Sequence, residues 1–135
     1  MSPRARGALA LLVLAGTATG CAGPKPNAAA CDQPAPAVVA QIQSHVTAAG
    51  QLRNARSYAP SGSPFTFVSV ERRTDAQVRD KKSGVILTFA VPRDGTSVVA
   101  VDARARKDST YAHAPFDVRE KGAIESRGCV YNARK

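Results

Sequence analysis

Between Phe65 and Val101 the chain carries three runs of branched and aromatic residues, and this stretch does most to limit the fold. The runs are Phe65–Val70, Gly84–Val91 and Thr96–Val101. Side chains of this kind lose little rotamer freedom on a pleated surface and pack well across it, so runs of this length bounded by polar or turn residues are strand signals. The link from Arg72 to Ser83 is long and charged. The link Pro92-Arg93-Asp94-Gly95 is a tight reversal: Pro92 presets φ and Gly95 tolerates a positive one. Strands joined this way form an antiparallel meander most simply. A weaker alternation over Leu52 to Tyr58 offers a fourth strand.

A sheet of this size needs a cover. Val38, Val39, Ile42, Val46 and Ala49 recur at three- and four-residue spacing, which predicts an amphipathic helix. Asp32 is the expected cap, Pro34 and Pro36 fit the first turn, and Gly50 is the stop. His45 flanks the apolar stripe without a second metal ligand nearby, so it reads as structural. After the meander, Pro115 to Val118 is expected to open a short helix towards Ser126, interrupted at Gly122. Aromatic residues are only 5% of the chain and Trp is absent, so the core must be mostly aliphatic. The expected fold class is α+β: an N-terminal helix on a three- to four-stranded antiparallel meander, forming one domain over residues 31–135.

The first thirty residues have another character. Arg4 and Arg6 precede an apolar run from Ala8 to Ala15, too short to span a bilayer but of signal-peptide length. The phrase Ala18-Thr19-Gly20-Cys21 resembles the lipobox of bacterial lipoproteins, in which small residues precede a cysteine that receives diacylglycerol. Ala18 stands where that pattern most often has Leu. The resemblance implies a signal peptide over residues 1–20, removed before Cys21, and a palmitate-type acylated anchor on that cysteine. Ala18 and Gly20 also fit ordinary secretion, which leaves a freely secreted product as the alternative.

Cysteine parity favours the anchor. Three cysteines, Cys21, Cys31 and Cys129, leave one too many for disulfides in an exported chain. Lipidation of Cys21 would consume one, and Cys31 with Cys129 would form a disulfide, the default in an oxidising compartment. Residues 21–30 are rich in Ala, Pro and Gly and read as a flexible tether. The expected location is the outer, extracytoplasmic face of the cell membrane.

Nineteen basic and ten acidic residues give a formal charge of +9, of which +7 remains without Arg4 and Arg6. Such a surface attracts anionic lipid headgroups or acidic wall polymers. Nucleic acid is not expected, because stacking aromatics are scarce and the chain is read as exported. The candidate binding residues are Arg72, Arg73, Arg79, Lys81 and Lys82 in the long link, with Arg104, Arg106 and Lys107 after the last strand. No HExxH, CxxC, GxSxG or SxxK pattern is present, so neither a metal site nor a cofactor is expected. Asp102, Asp108, His113 and Asp117 could in principle do acid/base work, but dispersed carboxylates in a polar loop are ordinarily solvated.

The mature part also resembles a family of small uncharacterised lipoproteins and secreted proteins of actinobacteria and their phages. The resemblance is carried by a Cys before an amphipathic helix, the Gly84–Val91 strand, the phrase from Val101 to Ser109 (Val-Asp-Ala-x-Ala-x-x-x-Ser), and a Cys near the end. This family has no established activity to carry over. The sequence therefore points to a non-catalytic, membrane-anchored binding module. The alternatives are a superinfection-exclusion protein that meets an incoming phage component, and an envelope enzyme or enzyme inhibitor using the His113 loop.

Overall fold

The computed structural model describes residues 31–134; the expected signal peptide, Cys21 and the tether lie outside the described residues. Helix α1 (Pro36–His45) leads into strands β1 (Gln51–Tyr58) and β2 (Phe65–Arg73). A short helix α2 (Asp75–Arg79) precedes β3 (Val85–Pro92) and β4 (Val99–Ala100), and helices α3 (Ala103–Asp108) and α4 (Ala123–Ala133) complete the fold. The four strands form one antiparallel sheet in the order β1-β2-β3-β4. The class is α+β, as the residue pattern indicates.

Both faces of this sheet are covered. Pairing Val68 with Phe89 and Val70 with Leu87 puts these four side chains on one face, where they meet Ile42 of α1 and Ala105 of α3. The opposite face carries Phe67, Ser69 and Glu71 beside Ala90, Thr88 and Ile86, and α4 lies across it. Phe67, Ala90, Val101 and Ala123 make a second apolar cluster at one end of that face, with Phe65 and Phe116 against it. A sheet covered on both sides has buried residues at consecutive strand positions, and β2 is buried continuously from Phe67 to Glu71.

Several boundaries depart from the sequence expectation because backbone pairing wins locally. Asp32 does not cap α1: its amide and carbonyl pair with Ser57 at 3.0 and 2.8 Å, so the chain enters as a short extension of the sheet edge, and Ala35 takes the capping position. α1 stops at His45 rather than near Gly50, because Val46 and Thr47 leave it to pair with the segment after α3; the Thr47 amide donates to the Asp108 carbonyl at 2.8 Å. Only Val99 and Ala100 of the third run are a regular strand. The helix expected from Pro115 starts at Ala123 instead. Gly122, at φ 103°, precedes α4, and the stretch before it is turns.

Cys31 and Cys129 are joined in a disulfide with Cα atoms 5.9 Å apart and a sequence separation of 98. It ties the entry of the domain to the middle of α4.

Candidate functional site

Under α4 the sheet holds a seam of buried polar side chains. Ser69 Oγ lies 2.9 Å from Thr88 Oγ1 and 2.8 Å from Ser126 Oγ, all three fully buried. Arg127, on the next residue of α4, donates to Thr88 Oγ1 at 3.1 Å and to the Asp102 carboxylate. Asp102 also accepts from the Ala105 amide at 2.7 Å and so caps α3. Burial pushes the Asp102 carboxyl above its ordinary range, against the opposing pull of the Ala105 amide and the Arg127 guanidinium.

At the other end of the seam Glu71 is fully buried. Its Oε1 accepts from the Gly84 amide at 2.8 Å and from Arg73 Nε at 3.0 Å, with Nε of Arg134, the residue after α4, paired at 3.3 Å. Its Oε2 accepts from Asn54 Nδ2 at 2.7 Å. Asn54 sits in the bulge that shifts register between Arg53 and Arg56, with φ 52°, and the bulge re-aims its amide at Glu71. Burial alone would raise the Glu71 pKa. The hydrogen bonds from Gly84, Asn54 and Arg73, with the charge of Arg134, outweigh it and hold the carboxyl below the usual glutamate range.

Apart from Arg127, whose side chain is 34% exposed, these ionic groups are shielded from solvent and paired with one another. Their chemistry is cross-linking: each ties α4, α3 or the β2–β3 connection to the sheet.

The eight cationic candidates divide into two groups. Arg72 donates to the Ala49 carbonyl at 2.6 Å and pairs with Asp108 at 3.0 Å, both charges nearly buried. Arg73 is held by Glu71. Arg106 donates to the carbonyls of Ala114 and Phe116 at 3.2 and 3.0 Å. These three are internal braces. Arg79, Lys81 and Lys82 lie exposed at α2 and the turn after it, and Arg104 and Lys107 are exposed on α3.

The acid/base candidates are not brought together as a set. Asp102 is taken by Arg127 and Asp108 by Arg72, while His113 is exposed and Asp117 closes its own turn by accepting from the Arg119 amide at 2.7 Å. His45 stacks on Tyr111 with ring centroids 4.3 Å apart, and its Nδ1 lies 2.8 Å from Thr110 Oγ1, which fastens α1 to the segment after α3.

Two open grooves flank the first turns of α1. One, of about 580 Å³, has Val38, Val68 and Val91 as an apolar floor and Arg93 at its rim. The other, of about 660 Å³, runs between α1 and β1 over Val39, Leu52 and Ala55. Among the described residues no cluster of three or more His, Cys, Asp or Glu could hold a metal ion, and no helix is long and apolar enough to cross a membrane.

Sequence reasoning did not single out Glu71, Arg127, Arg134 or Ser126. The one signal for Glu71 was a carboxylate directly following the apolar run of β2, flanked by two arginines. Compared with protein-family models, with curated proteins and with solved structures, the chain matches none.

Proposed function

We propose that this protein is a lipid-anchored, extracytoplasmic binding module without catalytic activity. The observation that carries this reading is the Cys31–Cys129 disulfide. It suits an oxidising compartment, and it leaves Cys21 as the odd cysteine of three, directly after the small residues that a lipobox requires. Two or three acyl chains on Cys21 would anchor the domain stably, since each buried methylene contributes about 0.8 kcal/mol. A binding rather than catalytic role is supported by the spending of the buried acids on internal ion pairs.

The ligand-facing cations in this reading are the five without structural duty, Arg79, Lys81, Lys82, Arg104 and Lys107. Their partner is anionic: an acidic wall polymer, an anionic headgroup, or an acidic face of an envelope or phage protein. Intact mass spectrometry of the membrane-extracted protein should find diacylglycerol mass on Cys21; an unmodified thiol there would refute the anchor. In a Cys21→Ser background, neutralising the five cations together should abolish binding to envelope extracts while leaving the melting temperature within a few degrees. Unaltered binding would remove these residues from the interface.

A further inference from the structure

The net charge of the fold collects at one end of the sheet. The opposite end is formed by the turns joining β1 to β2 and β3 to β4, with the loop before α4: Arg93 donates to the Pro60 carbonyl at 3.0 Å there, and a Cβ on Gly122 would meet Pro60. Exposed charges at that end balance, with Arg93, Arg119 and Lys121 against Asp94, Asp117 and Glu120. The end at which β2 finishes and β3 begins does not balance. The Arg72–Asp108 pair fastens the last residue of α3 to β2, two residues before Thr74, the cap of α2, so the free cations of both helices belong to this end. Among the described residues, Arg79, Lys81, Lys82, Arg104 and Lys107 are exposed here against Asp75 and Asp80, while Arg73 and Arg134 share the single carboxylate of Glu71.

One of these cations is held at a conformational cost. α2 closes with the Lys81 amide donating to the Val78 carbonyl at 3.3 Å and the Lys82 amide to the Gln77 carbonyl at 2.9 Å, the pairing that ends a helix when the residue after its cap turns left-handed. Glycine normally fills that position, because a Cβ there crowds the following carbonyl. Here it is Lys81, at φ 53°. The other non-glycine residue at positive φ among the described residues, Asn54, has its reason inside the fold, since its amide donates to Glu71 at 2.7 Å. Lys81 has no such reason: its side chain is exposed, and its ammonium has no hydrogen bond or ion pair among the described residues. A side chain kept in a costly conformation without an internal partner has its use outside the fold.

The kind of partner follows from what stands beside these cations. Neither α2 nor α3 has an exposed large hydrophobic residue; those of the described chain, Ile124 and Tyr131, are on α4. The two helices therefore lack the aromatic or aliphatic anchor that a protein partner buries at the centre of an interface. A continuous anionic surface would press on Asp75 and Asp80 together with the cations around them. A flexible chain of repeated anions meets the cations one at a time, passes the two acids, and gains affinity by releasing its condensed counterions.

We infer that the α2 and α3 cations bind a linear polyanion, with Lys81 as its principal contact on α2. This rests on the reading that the five free cations face the ligand, and it is independent of the lipid anchor. Calorimetry on the Cys21→Ser chain measures binding to long-chain inorganic polyphosphate, to poly-glutamate and to tripolyphosphate over a series of salt concentrations. A polymer should bind about tenfold more tightly than tripolyphosphate, because the cations are divided between two helices. Whichever polymer binds more tightly identifies the repeat as phosphate or carboxylate. Lys81→Gly should raise the melting temperature by about 2–4 °C by relieving the left-handed backbone. The same variant should weaken polymer binding about fivefold and lower the salt slope by about one, while Lys81→Arg keeps the affinity. Lys121→Ala removes the same charge at the balanced end, where screening should hold its effect within about twofold.

Equal losses in Lys81→Gly and Lys121→Ala would mean that net charge alone is read, and would overturn the inference. So would unaltered binding or a lowered melting temperature in Lys81→Gly, or tripolyphosphate matching both polymers. Tighter binding to phosphatidylglycerol vesicles than to either polymer would also overturn it, by assigning these cations to a lipid surface. If the five-cation variant loses envelope extracts while Lys81→Gly keeps the polymer, the inference falls and the interface reading stands. If the five-cation variant still holds envelope extracts while Lys81→Gly loses the polymer, the interface reading falls and the polyanion site stands.

Discussion

At the residue scale the decisive group is Glu71. A carboxylate with no solvent exposure survives only because three donors converge on it from β1, β2 and the β2–β3 connection, with the charge of Arg134 at the end of α4 close by. Glu71→Gln would leave Arg73 and Arg134 without their counter-ion, and breaking a buried pair from one side costs about 3–5 kcal/mol. Urea unfolding near neutral pH should show that loss. The pH dependence has a definite sign. Because the folded-state pKa is depressed, Glu71 contributes its stability above the ordinary glutamate range and loses it as pH falls through the lowered value. The acid limb of the stability curve should flatten in Glu71→Gln; an unchanged limb would mean that another carboxylate drives it. Asp102 opposes this. Its raised pKa means the folded state holds the proton more tightly, so its contribution falls as pH rises from the ordinary aspartate range to the raised value.

Among the elements, α4 depends on a backbone position that only glycine fills comfortably. Gly122 has φ 103°, and a Cβ there would come within 2.5 Å of both Phe67 Cδ2 and Pro60 Cγ. Gly122→Ala should cost about 2–3 kcal/mol through strain and overpacking, read as a lower urea midpoint with the slope unchanged. Gly62, also at positive φ but with nothing within 4 Å, is the control, and alanine there should cost about 1 kcal/mol or less. A Gly122→Ala midpoint matching that control would contradict the close approach. The same helix explains how far the sequence could be read. β2 and β3 announce themselves through Phe65, Val68, Val70, Leu87 and Phe89, whose apolar runs need no tertiary context. α4 has no such stripe, because it packs small and polar side chains onto Ser69, Glu71 and Thr88. Those three strand residues look like water-facing positions until a cover is known. The cationic candidates failed to separate for a similar reason: Arg72 and Lys82 have the same charge, and only the position of Asp108, 36 residues beyond Arg72, makes one a brace and leaves the other free.

For the whole molecule, stability leans on one covalent link. The apolar cores are small, one mainly aliphatic around Phe89 and the other built on Phe65, Phe67 and Phe116, and the bond from Cys31 to Cys129 joins positions 98 apart in sequence. In the chain-entropy picture such a closure contributes about 4–5 kcal/mol, against the 5–15 kcal/mol that domains typically retain. Reduction, or Cys31→Ala with Cys129→Ala, should therefore lower the melting temperature by about 20–30 °C. A melt unaffected by reductant would show that packing alone suffices. The bond has a mechanical meaning as well. Tension entering from the N-terminal side divides at Cys31, one branch passing through two sulfur atoms into α4 and the other through the Asp32–Ser57 pair into the edge strand β1, so a pull loads the last helix and the sheet edge before it reaches α1.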